Sequence, residues 1–172
     1  MRRSALPVAL SLVAAACVPR VQPPAPPPPR PAPVVALPLP PRSADWRDWP
    51  VTPGVWAYRR DSRGSIALFG PAATDARLTL RCDLGERQVY LSRAGSAAAP
   101  VAIRTSTATR TLPMQPTGGT PPYAAVALAP GDPLLDAMAF SRGRFVVEQA
   151  GAPALVVPAW PEIGRVIEDC RG

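Results

Sequence analysis

Histidine and lysine are both absent from this chain, and cysteine occurs only three times. Without an imidazole, the Ser-His-Asp and Cys-His mechanisms lose their general base, and every metal site that needs a histidine ligand is excluded. Three cysteines cannot furnish a zinc site built from four thiolates. The glycine spacings that cradle phosphates, GxGxxG and GxxxxGK(S/T), do not occur, nor does the Asp-Thr-Gly of retropepsin-like proteases. No cofactor, metal ligand set or catalytic residue is therefore indicated.

The formal charge of +7 suggests nucleic acid until its location is examined. Of the nineteen basic residues, all arginine, five (Arg2, Arg3, Arg20, Arg30 and Arg42) precede the first acid, Asp45. Fourteen arginines then face twelve acids, so the remainder is nearly neutral. No run of five or more basic residues occurs, and a nucleic-acid partner is not expected.

Residues 1–16 have the three parts of a secretion signal: Arg2 and Arg3, an apolar run from Ala5 to Val13, and Ala14-Ala15-Ala16 before Cys17. The run falls well short of the roughly 20 residues that span a bilayer. Val13-Ala14-Ala15-Ala16-Cys17 resembles a bacterial lipobox, which implies cleavage before Cys17 and lipidation of its thiol. The family pattern prefers Leu at the position of Ala14. The alternative is an ordinary cleavage site that leaves Cys17 free. Residues 17–42 then read as a tether, with 12 of the chain's 26 prolines and the run Pro26-Pro27-Pro28-Pro29. Such a segment favours extended polyproline II at about 3.1 Å per residue. Val18, standing where Asp would resemble an inner-membrane retention signal, implies an outer-membrane lipoprotein facing the periplasm.

From residue 43 to 172 the pattern is that of a β-rich domain, with short alternating runs separated by turn residues. Strands are expected over 54–60, 65–69, 76–82, 87–93, 101–105, 107–112, 123–128, 144–149 and 154–157. An exposed loop is expected over 116–122. Asp132-Pro133 predicts a short helix whose apolar side is Leu134, Leu135, Met138 and Phe140. A second begins at Pro161, with Ile163, Val166, Ile167 and Cys170 on one stripe. The expected fold is mainly β, a small antiparallel sheet or sandwich with the C-terminal helix packed on it.

Candidate ligand-facing residues are Arg142 and Arg144, two guanidinium groups across a permissive glycine, and Trp160, a platform for stacking. For the arginines the competing reading is a solvated connection, and for Trp160 it is core packing. Asp132 and Asp136 have the spacing of a carboxylate pair but also that of an N-cap and an exposed helix charge. Glu168 and Asp169 read as solvated. Export assigns Cys17 to other chemistry and leaves Cys82 and Cys170 to form a disulfide, each on the apolar face of its element.

Leu78-x-Leu80-x-Cys82, the segment Ser141-Arg142-Gly143-Arg144-Phe145 and the ending from Ile163 to Cys170 resemble uncharacterised envelope proteins of alphaproteobacteria, particularly sphingomonads. The layout is also similar to invasion-associated locus B proteins and VasI-type secretion-associated proteins. These resemblances imply a small disulfide-bonded β domain and no particular activity. The expected role is that of a non-catalytic envelope lipoprotein, held at the membrane by its lipid, that binds a protein or cell-wall partner. The alternative is a carboxylate-dependent hydrolase of envelope glycans.

Overall fold

The computed structural model describes residues 45–172. The expected signal segment, Cys17 and the proline-rich tether lie outside these residues. Among the described residues the chain forms two antiparallel sheets and two helices. The strands are β1 (Val55–Asp61), β2 (Gly64–Gly70), β3 (Leu78–Asp83), β4 (Gln88–Ala94), β5 (Val101–Arg104), β6 (Thr109–Leu112), β7 (Gln115–Pro116), β8 (Tyr123–Leu128), β9 (Arg144–Gln149) and β10 (Ala152–Pro158). Helix α1 (Pro133–Ala139) precedes β9 and α2 (Pro161–Arg171) follows β10. One sheet has the order β1-β2-β3-β4-β8-β7 and the other β10-β9-β5-β6.

The fold is mainly β with a C-terminal helix on the sheets, as the alternation indicates. Because side chains alternate across a strand, register fixes which residues share a face. In the six-stranded sheet Trp56, Phe69, Leu78, Arg93 and Ala124 stand in one inward row, and Tyr58, Ala67, Leu80, Leu91 and Val126 in the next. Val101 and Ile103 of β5, Phe145 and Val147 of β9, and Leu155 and Val157 of β10 face them from the other sheet in one core. Two side chains tie the layers together with three bonds: Trp56 Nε1 donates to the Pro158 carbonyl (2.8 Å), and Arg93 donates to the carbonyls of Val147 (3.2 Å) and Pro153 (2.5 Å).

Helix α1 starts as its sequence predicts, with Asp132 accepting from the Leu134 amide (2.8 Å) and Pro133 in the first turn. Leu134, Leu135 and Met138 are buried, whereas Phe140 is 78 % exposed. Phe140 is the C-cap residue, beyond the last helical turn, so it leaves the expected apolar side. Helix α2 buries Ile163, Val166 and Ile167 and packs against β1, β2, β3 and β4. Cys82 and Cys170 are joined by a disulfide, with their Cα atoms 5.3 Å apart.

The 3-10 turn Trp46–Asp48 and the two-residue β7 were not foreseen from the sequence. Trp46 packs on Val146 and Val156, on the outward face of the four-stranded sheet. Thr52 then brackets Val156, its amide donating to the Val156 carbonyl (2.9 Å) and its Oγ1 accepting from the Val156 amide (2.9 Å). The described chain thus begins as a strap across that outer face.

Candidate functional site

The strap covers one outer face; the outer face of the six-stranded sheet carries a groove of about 540 Å³. Register builds its floor from two rows. Leu68, Thr79, Ser92 and Ala125 stand side by side on β2, β3, β4 and β8, and Ile66, Arg81 and Tyr90 form the adjacent row. Tyr123 and Thr117 close one end, and Arg63 reaches over the other. A second depression of about 390 Å³, lined by Pro113, Gln115 and Pro116, shares Tyr90, Thr117 and Ala125 with the first.

Hydrophobic residues on an outward face are the unusual feature. An antiparallel sheet with one solvated face alternates apolar-in and polar-out, yet the β2 run Ile66-Ala67-Leu68-Phe69 is apolar on both faces. That run was a signal in the sequence for a groove or a covering partner. Thr79 is only 8 % exposed on this outer face. Its hydroxyl, and that of Ser92 opposite, form no hydrogen bond among the described residues. Thr79 is buried and Ser92 half-buried as residues, but neither hydroxyl oxygen is sealed from solvent, so the pair is open to a partner from outside.

The charged groups around the groove are already paired. Arg81 forks onto Asp61 (3.0 and 2.8 Å), and Arg63 places Nε and Nη2 on Asp83 (2.9 and 2.5 Å). The Arg81 guanidinium holds the Asp61 carboxyl below the usual carboxylate range. Asp83 is held low chiefly by the Glu86 amide (3.0 Å) and then by Arg63. Both carboxylates therefore stay ionised at neutral pH, and both guanidinium groups are neutralised. Tyr123 donates its hydroxyl to the Ala76 carbonyl (2.6 Å), which fixes its ring at the groove's edge.

The residues singled out from sequence lie elsewhere. Arg142 is exposed on the turn between α1 and β9, and its amide donates to Ser106 Oγ (3.2 Å). Arg144 lies on the outer face of the four-stranded sheet and donates to the Trp49 carbonyl (2.5 Å), which holds the strap. Trp160, 43 % exposed, precedes α2 at its N-cap position. None of the three lines the groove. Asp132 is forked by Arg110 (both 2.7 Å) and Asp136 pairs with Arg171 (2.9 Å). Asp169, expected in solvent, instead accepts from Tyr58 (2.5 Å) and Arg60 (2.6 Å), while Glu168 is exposed.

Among the described residues no cluster of three His, Cys, Asp or Glu side chains could hold a metal, and no helix is long and apolar enough to cross a membrane. Compared with protein-family models, curated proteins and solved structures, the chain matches none.

Proposed function

We propose that this protein is a non-catalytic envelope lipoprotein whose β domain binds its partner through the groove on the outer face of the six-stranded sheet. The observation that carries the reading is the Thr79–Ser92 hydroxyl pair, unbonded on a half-apolar floor that no part of the described chain covers. The resemblance of the first seventeen residues to a lipidated signal supports the envelope placement.

Binding is favoured over hydrolysis by the state of the arginine-paired carboxyls, two of which flank the groove. A glycosidase needs one carboxyl raised toward neutrality to serve as a general acid. Here Asp61, Asp83, Asp132 and Asp169 are each held below the ordinary value by donors around them. A lowered carboxyl gives up its proton too readily for that task.

The test is site-specific photocrosslinking in intact envelopes, with a photoreactive phenylalanine analogue at Ser92 of the full chain. A discrete adduct is expected, lost when Leu68→Arg fills the groove in the same chain. Adducts from the analogue at Arg142, with none from Ser92, would move the binding surface to the α1–β9 turn.

A further inference from the structure

We infer that the groove holds a stretch of uncharged glycan backbone from the cell wall, an inference that rests on the groove being the binding surface. Charge comes first. Both guanidinium groups that reach the groove are forked to carboxylates, so a charged ligand would meet cations whose charge is already compensated. The floor's free polar groups are instead the hydroxyls of Thr79 and Ser92, register neighbours on adjacent strands. A hydroxyl both donates and accepts, which suits a ligand of hydroxyl and acetamido groups better than a phosphate or carboxylate, which only accept.

The apolar part fits the same chemistry. Ile66, Leu68 and Ala125 offer aliphatic contact, and the rings of Tyr90 and Tyr123 offer faces for the C–H surface of a sugar. Tyr90 pairs with Ala127, four residues along β8 from Tyr123. At about 3.4 Å per residue the two tyrosines stand on backbone positions roughly 14 Å apart along the strands, the reach of a short oligosaccharide. The depression continues past Tyr90 over Pro113 and Pro116, so the occupant extends beyond it as a polymer does.

An extended peptide is less suited to this floor. Such ligands gain affinity by pairing with an open strand edge, whereas β2, β3 and β4 each have strands on both sides. The floor rows on these three strands present side chains and no free backbone.

The experiment titrates the full chain in detergent with chitotetraose, a neutral tetramer, and with tetragalacturonate as the charged comparison, following backbone amide shifts. Chitotetraose should give saturable shifts at Thr79, Tyr90, Ser92 and Ala125, and tetragalacturonate should bind more weakly. Removing one hydroxyl by Thr79→Val should weaken binding roughly two- to tenfold with the melting temperature kept. Tyr90→Ala should weaken it by a similar or larger factor. Should Thr79→Val fail to fold, Ser92→Ala reads the same hydroxyl pair. Absence of saturable shifts with chitotetraose, tighter binding of the acidic tetramer, or unchanged affinity in the hydroxyl variants would overturn the inference. If chitotetraose gives no shifts while groove crosslinks from Ser92 persist, the ligand class alone is wrong. If both fail, the groove is not the binding surface.

Discussion

Arg93 is 4 % exposed and sits in the inward row between Leu78 and Ala124. Burial pulls its guanidinium below the ordinary arginine value, and no described carboxylate pairs with it. It is held by the carbonyls of Val147 and Pro153, so it works as a polar rivet between the sheets. Arg93→Met would keep much of the volume and remove the donors, leaving two carbonyls short of partners. The expected loss is roughly 2–4 kcal/mol, read from urea unfolding. Wild-type stability in the variant would mean that the desolvation cost of the arginine cancels its bonds. The position was legible, because alternation from Val89 and Leu91 points Arg93 inward. Its partners were not, since they lie 54 and 60 residues away. Arg144 is similar: its partner, the Trp49 carbonyl, is 95 residues distant. Alternation from Leu78 and Leu80 puts Thr79 on the outward face, but its burial there depends on neighbours from other strands.

Helix α2 is the element that local pattern describes best, since Pro161 opens it and its apolar stripe is the one buried. What pins it to the sheet is a set of long-range groups. Besides the disulfide, Tyr58 donates to Asp169, Arg60 donates to both Tyr58 and Asp169, and Arg165 lies 4.0 Å over the Tyr58 ring. The disulfide closes a loop of 88 residues, and chain-entropy reasoning gives a stabilisation of up to about 4.6 kcal/mol. Replacing Cys82 and Cys170 together by Ala should lower the midpoint of urea unfolding accordingly, and an unchanged midpoint would show that the bond constrains nothing. Burial pushes the Asp169 carboxyl up, but the hydrogen bonds from Tyr58 and Arg60 outweigh it and hold it below the ordinary range. A depressed carboxyl adds stability above its unfolded value of about 3.9 and loses it as pH falls through the lower folded value. The melting temperature of Asp169→Asn should therefore lie below wild type at pH 7, and the gap should close on acidification toward pH 2. A gap that persists at pH 2 would mean the aspartate acts through shape and not charge. The short β7 and the Trp46–Asp48 turn escaped local reading because a two-residue pairing and a three-residue turn carry no periodicity.

Across the whole chain, charge is segregated, and the proposed lipoprotein reading makes membrane attachment depend on one residue. The domain from residue 43 onward is nearly neutral, and the excess arginines precede it. Among the described residues no helix could span a bilayer. In the proposed lipoprotein the anchor is the thiol of Cys17, and one acyl chain gives only marginal binding whereas two or three on a processed cysteine hold firmly. Intact-mass analysis of the mature protein should show loss of residues 1–16 and added acyl mass. Cys17→Ala should leave the membrane fraction. The strap of Trp46 to Thr52 lies on the four-stranded sheet and the groove on the outer face of the six-stranded one. The released Cys17→Ala protein should thus bind chitotetraose with the affinity of the anchored form. An unmodified thiol at Cys17 in mature protein would sink the anchoring. Affinity that falls with release would show that the membrane, and not the sheet face alone, supplies part of the binding surface.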